Sequence, residues 1–505
     1  MFKKVLIANR GEIALRVMRS LREMGIATVA VYSEADREAL HVRMADEAVC
    51  VGPAQSTESY LRIDKILEAM EKTGAEAVHP GYGFLSENAE FARACTARGF
   101  TFIGPNPEAI DVMGEKTRAR DLMARAGVPL VPGTEAIEDP REALEKAQLI
   151  GFPVLAKAAA GGGGKGMRRV DSAEEFIPSF EGARREALSA FGNGDVYLEK
   201  FVLKPRHVEI QVLADKEGNT VHLFERDCSV QRRHQKIIEE TPCPVLSEET
   251  RQKMGAVAVQ AARAVEYVGA GTVEFLLDEN QNFYFLEMNT RLQVEHPITE
   301  MITGIDLVRW QVRIAAGEAL TFGQEDLKSR GAALECRLYA EDPENQFRPS
   351  PGKIEILRPP SGPGIREDSG VYEGATVPVH YDPMISKLIT YGEDRNHAIE
   401  RMRRALQDYQ ISGIETNLAF HLEVLEHPDF LSGQYDTNFV PAWLKERSAA
   451  APKNVDDAEV AALLDAFLRD EELASGAGVS VGKGDSSSAS GWKALGRIRR
   501  LRTNG

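Results

Sequence analysis

The stretch of residues 274–297 constrains the fold of this chain more than any other feature of the sequence. Two apolar and aromatic runs, Val273–Leu277 and Phe283–Met288, flank five polar residues, and this pattern predicts a β-hairpin. A turn centred in the polar segment, between its third and fourth residues, would place Glu274 directly opposite Glu287. Facing carboxylates on neighbouring strands repel each other unless a cation lies between them.

A divalent cation would resolve this conflict, because Mg²⁺ takes carboxylate oxygens and keeps substrate phosphates as further ligands. Strand alternation places Asn289 on the same face as Glu287. If the chain stays extended, that face also carries Arg291, Gln293 and Glu295. The hairpin would then present metal ligands, a fixed cation, an amide and a second acid in a row. The alternative interpretation is an ordinary edge strand with a solvated polar face.

Composition limits the class of protein. A chain of 505 residues is too long for one hydrophobic core, so we expect three or four domains. The net charge of −16 argues against binding to nucleic acid or to an anionic membrane. The five cysteines are scattered without a CxxC spacing, which fits a reducing, cytoplasmic setting and argues against a zinc site. No signal peptide and no apolar run of membrane-spanning length is evident.

The first eighty residues have the pattern of an α/β domain. A buried strand at Lys4–Ala8, an amphipathic helix ending near Met24 and a strand at Thr28–Tyr32 form a βαβ unit, which predicts a parallel sheet. The glycine fingerprint of a dinucleotide site is missing after the first strand. The glycine-rich loop His79–Asn88 follows a later strand, where α/β folds bind ligands. A plain tight turn explains this loop equally well.

A glycine run in the second quarter of the chain predicts a phosphate-binding hairpin. The strand Phe152–Ala158 leads into Gly161–Gly164, Lys165 and Gly166, and Met167–Val170 forms the return strand. We expect a mobile tip that covers phosphates with backbone N–H groups and with Lys157 or Lys165. A flexible surface hairpin is the alternative, although a lysine inside an apolar strand is costly without an anionic partner.

The densest basic cluster of this acidic chain spans Arg226–Lys236. Flanked by strands, it is suited to an anionic substrate or a polyphosphate, whereas a solvated loop is the ordinary explanation of such a run. Within it, Cys228 is expected to be a small packed residue. A third region begins near Gly331, and its strand Leu334–Leu338 contains Arg337, a residue type that most often forms a surface ion pair.

Together, in this order, these motifs resemble the biotin carboxylase family, whose members contain the ATP-grasp fold. The resemblance extends from Met1 to about Leu444. The segments that carry it are residues 7–14, 79–88, 152–167, 225–236, 285–297 and 335–337. Many members have one more glycine and an arginine in the glycine loop, where this chain has Ala160 and Lys165. Both changes preserve flexibility and charge.

The resemblance implies a multidomain protein of mixed α/β and α+β class. We expect a Rossmann-like N-terminal domain over residues 1–112 and an ATP-grasp domain over 113–330, with its glycine-rich lid at about 131–203. A strand-rich C-terminal domain would follow over 331–446. Residues 447–505 form an extension with one amphipathic helix and a Gly/Ser-rich basic tail that we expect to be disordered. We hypothesise that this tail docks on a partner subunit.

The resemblance also assigns roles to individual residues. The residues assigned to ATP are Lys116, Lys157, Gly163, Gly164, Lys165, Gly166, Met167, Glu199, Lys200, Val202, His207, Gln231, His234 and Leu276. Those assigned to Mg²⁺ or Mn²⁺ are Glu274, Glu287 and Asn289. Those assigned to bicarbonate are Lys236, Arg291, Gln293, Val294 and Glu295. Arg337 is assigned to the ureido oxygen of biotin, and the implied catalytic set is Lys236, Arg291, Glu295 and Arg337.

The implied reaction is ATP- and bicarbonate-dependent carboxylation of biotin through carboxyphosphate, in which Glu295 acts as the base. The sequence contains no Met-Lys dipeptide, so biotin is expected on a separate carrier protein, with a separate carboxyltransferase. The family implies a homodimer, with Arg16 and Arg19 at its interface. The acyl acceptor stays open among acetyl-CoA, as in fatty acid biosynthesis, propionyl-CoA and pyruvate. The alternatives are another ATP-grasp ligase, of carbamoyl-phosphate or purine-pathway type, and a non-catalytic nucleotide-binding regulatory subunit.

Overall fold

The computed structural model describes residues 1–158, 167–191, 194–233 and 235–450. The predictions for the lid residues Gly163, Gly164, Lys165 and Gly166, for His234, and for the helix and tail of the extension lie outside these ranges. The chain divides into two compact units, Met1–Phe439 and Val440–Gly505. Everything below concerns the first unit, apart from the helix that ends the described chain.

In the described residues, strands and helices alternate from the N-terminus to about residue 114. After that, strands are more numerous than helices. The helices are α1 (Gly11–Glu23), α2 (Leu40–Met44), α3 (Ile63–Thr73), α4 (Ala89–Ala97), α5 (Pro107–Gly114), α6 (Lys116–Arg125), α7 (Pro140–Ile150), α8 (Phe176–Phe191), α9 (Glu248–Ala264), α10 (His296–Thr303), α11 (Leu307–Ala315), α12 (Arg395–Asp408), α13 (Leu418–Val424), α14 (Pro428–Leu431) and α15 (Phe439–Ala450). The strands are β1 (Lys4–Ile7), β2 (Ala27–Ser33), β3 (Glu47–Gly52), β4 (Ala77–His79), β5 (Thr101–Phe102), β6 (Val154–Ala158), β7 (Met167–Val170), β8 (Val196–Lys200), β9 (Arg206–Ala214), β10 (Thr220–Arg232), β11 (Gln235–Thr241), β12 (Gly269–Leu277), β13 (Phe283–Asn289), β14 (Ala332–Tyr339), β15 (Glu341–Asp342), β16 (Arg348–Pro349), β17 (Gly352–Lys353), β18 (Ile356–Arg358), β19 (Ile365–Ser369), β20 (Thr376–Val377), β21 (Met384–Gly392) and β22 (Gln410–Ser412).

The N-terminal sheet is parallel and confirms the βαβ prediction. Its strand order is β3-β2-β1-β4-β5, with β1 paired in parallel to β2 on one side and to β4 on the other. The central strand β1 is buried along nearly its whole length because helices cover the sheet. Helix α1 packs Ile13, Val17 and Leu21 into that core. The glycine-rich loop predicted to bind ligands leaves the end of β4.

A small three-stranded sheet, ordered β7-β6-β8, contains the described part of the predicted lid. Strands β6 and β7 are antiparallel and place Lys157 opposite Met167, so the predicted hairpin is confirmed on both sides of its tip. Helices α7 and α8 supply an apolar layer against this sheet, in which Phe176 and Phe180 are fully buried.

The largest sheet has eight strands, ordered β13-β12-β9-β10-β11-β14-β21-β19. Strand β14 hydrogen-bonds directly to β11, with Ile238 opposite Cys336. The sheet therefore continues across residue 331, where a separate third domain is predicted to begin. The boundaries at 112, 330 and 446 stay predictions, whereas the strand-rich character of the C-terminal region is confirmed.

Strand β9 shows how the sequence aims polar groups to one side of this sheet. Its sequence alternates, so that Val208, Ile210 and Val212 lie in an apolar core with helix α9. Side chains of a strand alternate between its two faces. His207 and Glu209, which alternate with these apolar residues, therefore project from the opposite face. Both are buried. The apolar residues of β9 hold the strand against the core, and its polar residues are buried on the opposite face, where they can form a site.

Among the described residues, no helix combines the length and the apolar character that a bilayer crossing requires. All five cysteines are free thiols.

Candidate active site

The predicted hairpin is formed by β12 and β13, and Glu274 lies directly opposite Glu287 as expected. The route to this pairing differs from the prediction. Phe275 pairs with Phe285, so Leu286 is an extra residue on β13 and forms a β-bulge. The turn is therefore centred on Asn280 rather than between Asn280 and its neighbour. The bulge shifts the register by one residue and brings the two glutamates face to face.

The prediction that the chain stays extended beyond Asn289 is wrong. Strand β13 ends there, the chain bends, and helix α10 begins at His296. Arg291, Gln293 and Glu295 therefore do not form one face of a strand. The bend nevertheless turns Gln293 and Glu295 back toward β12 and β11, where both contact the Lys236 ammonium.

Lys236 is the centre of the site. Its Nζ donates to Glu209 Oε2 and Glu295 Oε1 at 2.6 Å each, to Glu274 Oε1 at 2.9 Å and to Gln293 Oε1 at 3.0 Å. Burial opposes its charge, but the three carboxylates outweigh burial and raise the pKa of Lys236 well above its ordinary value. The predicted basic cluster thus supplies a fixed cation that joins the hairpin to the adjoining strands.

Glu295 lies between two cations. Its Oε1 accepts from Lys236 Nζ at 2.6 Å, and its Oε2 lies 3.0 Å from Arg337 Nη2. Burial alone would raise the pKa of Glu295, but Lys236 and then Arg337 lower it far below the ordinary value. Arg337 is buried rather than at the surface. Burial disfavours its charge, yet Glu239 and Glu295 raise the pKa of Arg337 well above normal.

The opposing glutamates fit a divalent cation. Glu274 is held by protein donors, since Oε1 accepts from Asn289 Nδ2 and Gln293 Nε2 at 2.9 Å and Oε2 lies 2.8 Å from His207 Nε2. In the described part of the chain, no hydrogen bond or ion pair is formed by the Glu287 carboxylate. Loss of solvent in the cleft and then the Glu274 charge raise the pKa of Glu287. A cation between these two carboxylates would remove that repulsion.

A second bulge explains how Lys236 and Glu239 come to share one face although they are three residues apart. Gln231 of β10 pairs with Lys236, but Val230 pairs with Ile238, so Ile237 is an extra residue on β11. A bulge of this kind reverses the alternation of the strand beyond it. Glu239 consequently reaches Arg337, at 2.6 Å from Nη2. Hydrophobic periodicity alone does not locate such a bulge.

The residues predicted to bind ATP line both sides of the cleft. Lys157 forms an ion pair with Glu199, which is also predicted to bind ATP. This pair supplies the anionic partner that a lysine within an apolar strand requires. Lys200 Nζ donates to the carbonyls of Gly151 and Phe152 at 2.6 and 3.0 Å. Lys116 is exposed at the N-terminus of α6. The remaining described members of this set occupy strands or their ends: Met167 on β7, Val202 after β8, His207 on β9, Gln231 on β10 and Leu276 on β12.

Two residues predicted to bind bicarbonate, Arg291 and Val294, form hydrogen bonds with other residues of the protein. Arg291 donates from Nε to Glu87 at 2.8 Å and from Nη2 to Asn289 Oδ1 at 2.9 Å. The carbonyl of Val294 accepts from Lys387 Nζ at 2.9 Å. Glu87 belongs to the glycine-rich loop after β4, so this loop contacts a residue predicted to bind bicarbonate. Its predicted role in ligand binding stays a prediction.

Sequence reasoning did not identify several residues that organise the site. Glu209 could have been found, because it alternates with His207 along β9 and therefore shares its face. Arg226, which is fully buried, lies beneath the site and donates to Glu209 Oε1 at 2.5 Å and to Gln211 Oε1 at 2.7 Å. Glu239 lies outside every motif, and Glu335 lies in the 335–337 segment without a predicted role, since the two acids meet only through the pairing of β11 with β14.

A parallel N-terminal sheet, the β6–β7 hairpin that carries Lys157, and the acidic β12–β13 hairpin beside the Lys236 ammonium are the arrangement of an ATP-dependent ligase of the ATP-grasp class. Comparison with known proteins identifies the family. The family model of the biotin carboxylase N-terminal domain matches residues 1–110, and that of the biotin carboxylase C-terminal domain matches residues 335–442. The model of the carbamoyl-phosphate synthase L chain ATP-binding domain matches residues 115–322.

Full-length relatives agree with the family models. The chain is 56% identical to a biotin carboxylase of Nostoc sp. over 440 residues, which cover 87% of this chain and 98% of that protein. It is 55% identical to biotin carboxylase 1 of Bacillus subtilis, with 88% and 99% covered. The chain belongs to the biotin carboxylase family, and it catalyses ATP-dependent carboxylation of biotin.

Solved structures show the same architecture. The biotin carboxylase of Campylobacter jejuni, solved as a β,γ-ATP complex, has a TM-score of 0.80 at 49% identity, covering 88% of this chain and 99% of that one. The bicarbonate-bound biotin carboxylase domain of a thermophilic 2-oxoglutarate carboxylase has a TM-score of 0.84 at 48% identity, with 88% and 98% covered. A nucleotide and bicarbonate are thus bound by close structural relatives of this fold.

Proposed function

We propose that the cluster of Lys236, Glu295 and Arg337 is the point at which bicarbonate, the γ-phosphate of ATP and biotin meet. The observation that carries this proposal is the convergence of two cations on one carboxylate within 3.0 Å. The two cations lower the pKa of Glu295, which keeps it in the ionised form that a general base requires. The same two cations also reduce its basicity.

Bicarbonate binding would relieve that suppression. An incoming anion takes hydrogen bonds from Lys236 and Arg291, which draws the ammonium away from Glu295 and increases the proton affinity of the carboxylate. Glu295 would then accept the bicarbonate proton as an oxygen of bicarbonate attacks the γ-phosphorus of ATP. Gln293 would orient the anion by a charge-independent hydrogen bond. The products of this step are ADP and carboxyphosphate.

The nucleotide would be held by the lysines on the two sides of the cleft. Lys116 and Lys157 offer ammonium groups to phosphates, with Lys157 exchanging Glu199 for a phosphate oxygen. Glu274, Glu287 and Asn289 provide the hard oxygen ligands that suit Mg²⁺ or Mn²⁺. Bound there, the metal supplies positive charge that stabilises the charge developing on the phosphoryl oxygens.

Biotin would be carboxylated next to Arg337. Carboxyphosphate breaks down to CO₂ and phosphate, and the phosphate accepts the proton of biotin N1. The guanidinium of Arg337 would stabilise the enolate-like ureido oxygen, after which N1 attacks CO₂. We further propose that biotin arrives on a separate carrier protein, that separate carboxyltransferase subunits use the product, and that the enzyme acts as a cytoplasmic homodimer.

A steady-state assay tests this function. Wild-type protein with Mg²⁺ and bicarbonate should release phosphate from ATP slowly, and free biotin should accelerate the release. Arg337→Ala should abolish most of this acceleration, because the developing oxyanion loses its donor, which costs roughly 10²–10³-fold. The release without biotin should change far less than the biotin-stimulated release, because Arg337 contacts Glu295 but is assigned to biotin. Phosphate release that ignores biotin in the wild type, or equal loss of both rates in the variant, would contradict the proposal.

A further inference from the structure

Two acids that no step of this reaction uses lie directly opposite each other behind Arg337. Glu239 on β11 faces Glu335 on β14 in the antiparallel ladder, and neither side chain exposes any surface. Like charges at directly opposed positions destabilise a sheet, and an uncompensated carboxylate in the interior is far more costly. The pair therefore cannot be doubly ionised without compensation on both members.

The two acids differ in the cation nearest to them. The carboxylate oxygens of both lack a hydrogen-bond partner among the described residues, but Glu239 Oε1 forms an ion pair with Arg337 Nη2 at 2.6 Å. Burial raises the pKa of Glu335 well above its ordinary value, and Glu239 adds to that effect although Lys387 opposes it. Burial also raises the pKa of Glu239, to about 7, although Arg337 opposes this. Because Glu239 has the ion-pair partner, it is the member that carries the charge toward Arg337, and Glu335 is the member that keeps a proton.

Arg337 is held from several directions. Its carbonyl accepts from Asn417 Nδ2 at 3.0 Å and lies 2.8 Å from His421 Nε2, which fixes the backbone. Its Nη2 is shared by Glu239 and Glu295, which fixes the guanidinium plane. Its Nε is buried and has no hydrogen-bond partner in the described structure.

In the proposed reaction, Glu295 is the one of the two carboxylates on Arg337 Nη2 that changes its partner. In the proposed reaction Glu295 turns to bicarbonate, and the guanidinium would then keep a single carboxylate partner. Without that partner, a buried guanidinium would follow Glu295 or remain unpaired, which is strongly unfavourable. We infer that Glu239 is a positioning residue that anchors Arg337 for biotin while Glu295 engages bicarbonate, and that Glu335 carries the proton that allows a second acid beside it.

This inference rests on the proposed role of Arg337 and predicts a selective defect. Glu239→Gln preserves the shape of the side chain and removes its charge. We expect the KM for free biotin to rise by about tenfold and biotin-stimulated turnover to fall by roughly 10- to 100-fold, since a misplacement of about 1 Å costs that much. Bicarbonate-dependent ATP cleavage without biotin should stay within about threefold of the wild type, because the only described ion pair of Glu239 is with Arg337.

The matched control is Glu240→Gln. Glu240 is the next residue on the same strand and is also buried, but it pairs with Arg395 at 2.6 Å and not with Arg337. A merely structural role for Glu239 would make the two glutamine variants alike, with lower thermal stability and an unchanged KM for biotin. The conservative variant Glu239→Asp keeps the charge one methylene further back, and its KM should lie between the wild type and Glu239→Gln.

The experiment measures both rates and the KM for biotin in the wild type and in Arg337→Ala, Glu239→Gln, Glu239→Asp and Glu240→Gln. A larger loss of biotin-stimulated turnover than of biotin-independent ATP cleavage in Arg337→Ala and in Glu239→Gln, with no such difference in Glu240→Gln, supports the inference. A selective defect in Arg337→Ala alone overturns it while the proposed function stands. No selective defect in Arg337→Ala overturns both. If Glu239→Gln does not fold, an unchanged KM in Glu239→Asp is the result that overturns the inference.

Discussion

The five-stranded sheet buries mainly apolar side chains, whereas one face of the eight-stranded sheet buries charged ones. The central strands of the parallel sheet bury Leu6, Ile7 and Val78 with little charge between them. The eight-stranded sheet buries a network of acids and bases, of which Arg226 and Lys387 are completely inaccessible to solvent. Apolar burial stabilises a fold at low cost, whereas buried ion pairs contribute little net stability. The buried charged residues of the eight-stranded sheet are therefore explained by the reaction that they serve rather than by the stability of the fold.

The largest effect expected from this comparison concerns the hairpin. Glu287→Lys places an ammonium opposite Glu274. This ammonium would remove the repulsion between the two carboxylates and would occupy the place of the metal. Loss of metal-borne charge stabilisation amounts to several kcal/mol, so bicarbonate-dependent ATP cleavage should fall to background. The measurement is phosphate release at saturating Mg²⁺. The control is Glu279→Lys, an exposed residue of the hairpin turn whose only described ion pair is to Lys204 at 3.4 Å. Retained turnover in Glu287→Lys would disprove the metal assignment.

The next effect separates charge from packing at the centre of the site. Lys236→Met keeps the length of the side chain but leaves Glu209, Glu274 and Glu295 without their shared cation. Turnover should fall by roughly 10²–10³-fold, and the free energy of unfolding should fall by about 3–5 kcal/mol, as for other broken buried pairs. Lys253→Met on the exposed face of α9 is the control. Unchanged stability in Lys236→Met would mean that the network is not held by this ammonium.

The parallel sheet should respond in the opposite manner. Leu6→Ala removes a fully buried side chain from β1 and should lower the free energy of unfolding by about 2–5 kcal/mol. The KM values for ATP, bicarbonate and biotin should be unchanged when they are measured well below the unfolding temperature. Denaturant titration and steady-state kinetics on the same preparation provide both numbers. A changed KM would show that this sheet shapes the site directly.

The smallest effect is a pH dependence of stability at the far edge of the eight-stranded sheet. Burial would raise the pKa of Asp368, but Arg366, which donates to it at 2.7 and 3.1 Å, lowers the pKa to about 2. A depressed native pKa stabilises the fold above the unfolded pKa of about 3.9 and ceases to do so as pH falls through the native value. Asp368→Asn should cost about 2 kcal/mol at neutral pH. That difference from the wild type should shrink between about pH 5 and pH 2, and a constant difference would contradict this account.

The sequence predicted the site more completely than the path of the chain through it. The pairing of Glu274 with Glu287 was predicted correctly, although through a different turn. The density of basic residues indicated the segment that contains Lys236, because that signal is local. Two single-residue bulges, at Leu286 and Ile237, were not predicted, since a bulge depends on register with a neighbouring strand. The Glu239–Glu335 pair was missed for a related reason. It exists only because strands from two predicted domains join in one sheet.

The most direct test of the central claim follows carbon from bicarbonate to biotin. Wild-type protein incubated with ATP, Mg²⁺, isotope-labelled bicarbonate and free biotin should form labelled carboxybiotin in amounts that match the ADP produced. Arg337→Ala should produce ADP without matching label, because carboxyphosphate still forms but biotin is not activated. ADP without labelled biotin in the wild type, or wild-type labelling in Arg337→Ala, would contradict the assignment of this buried network to biotin carboxylation.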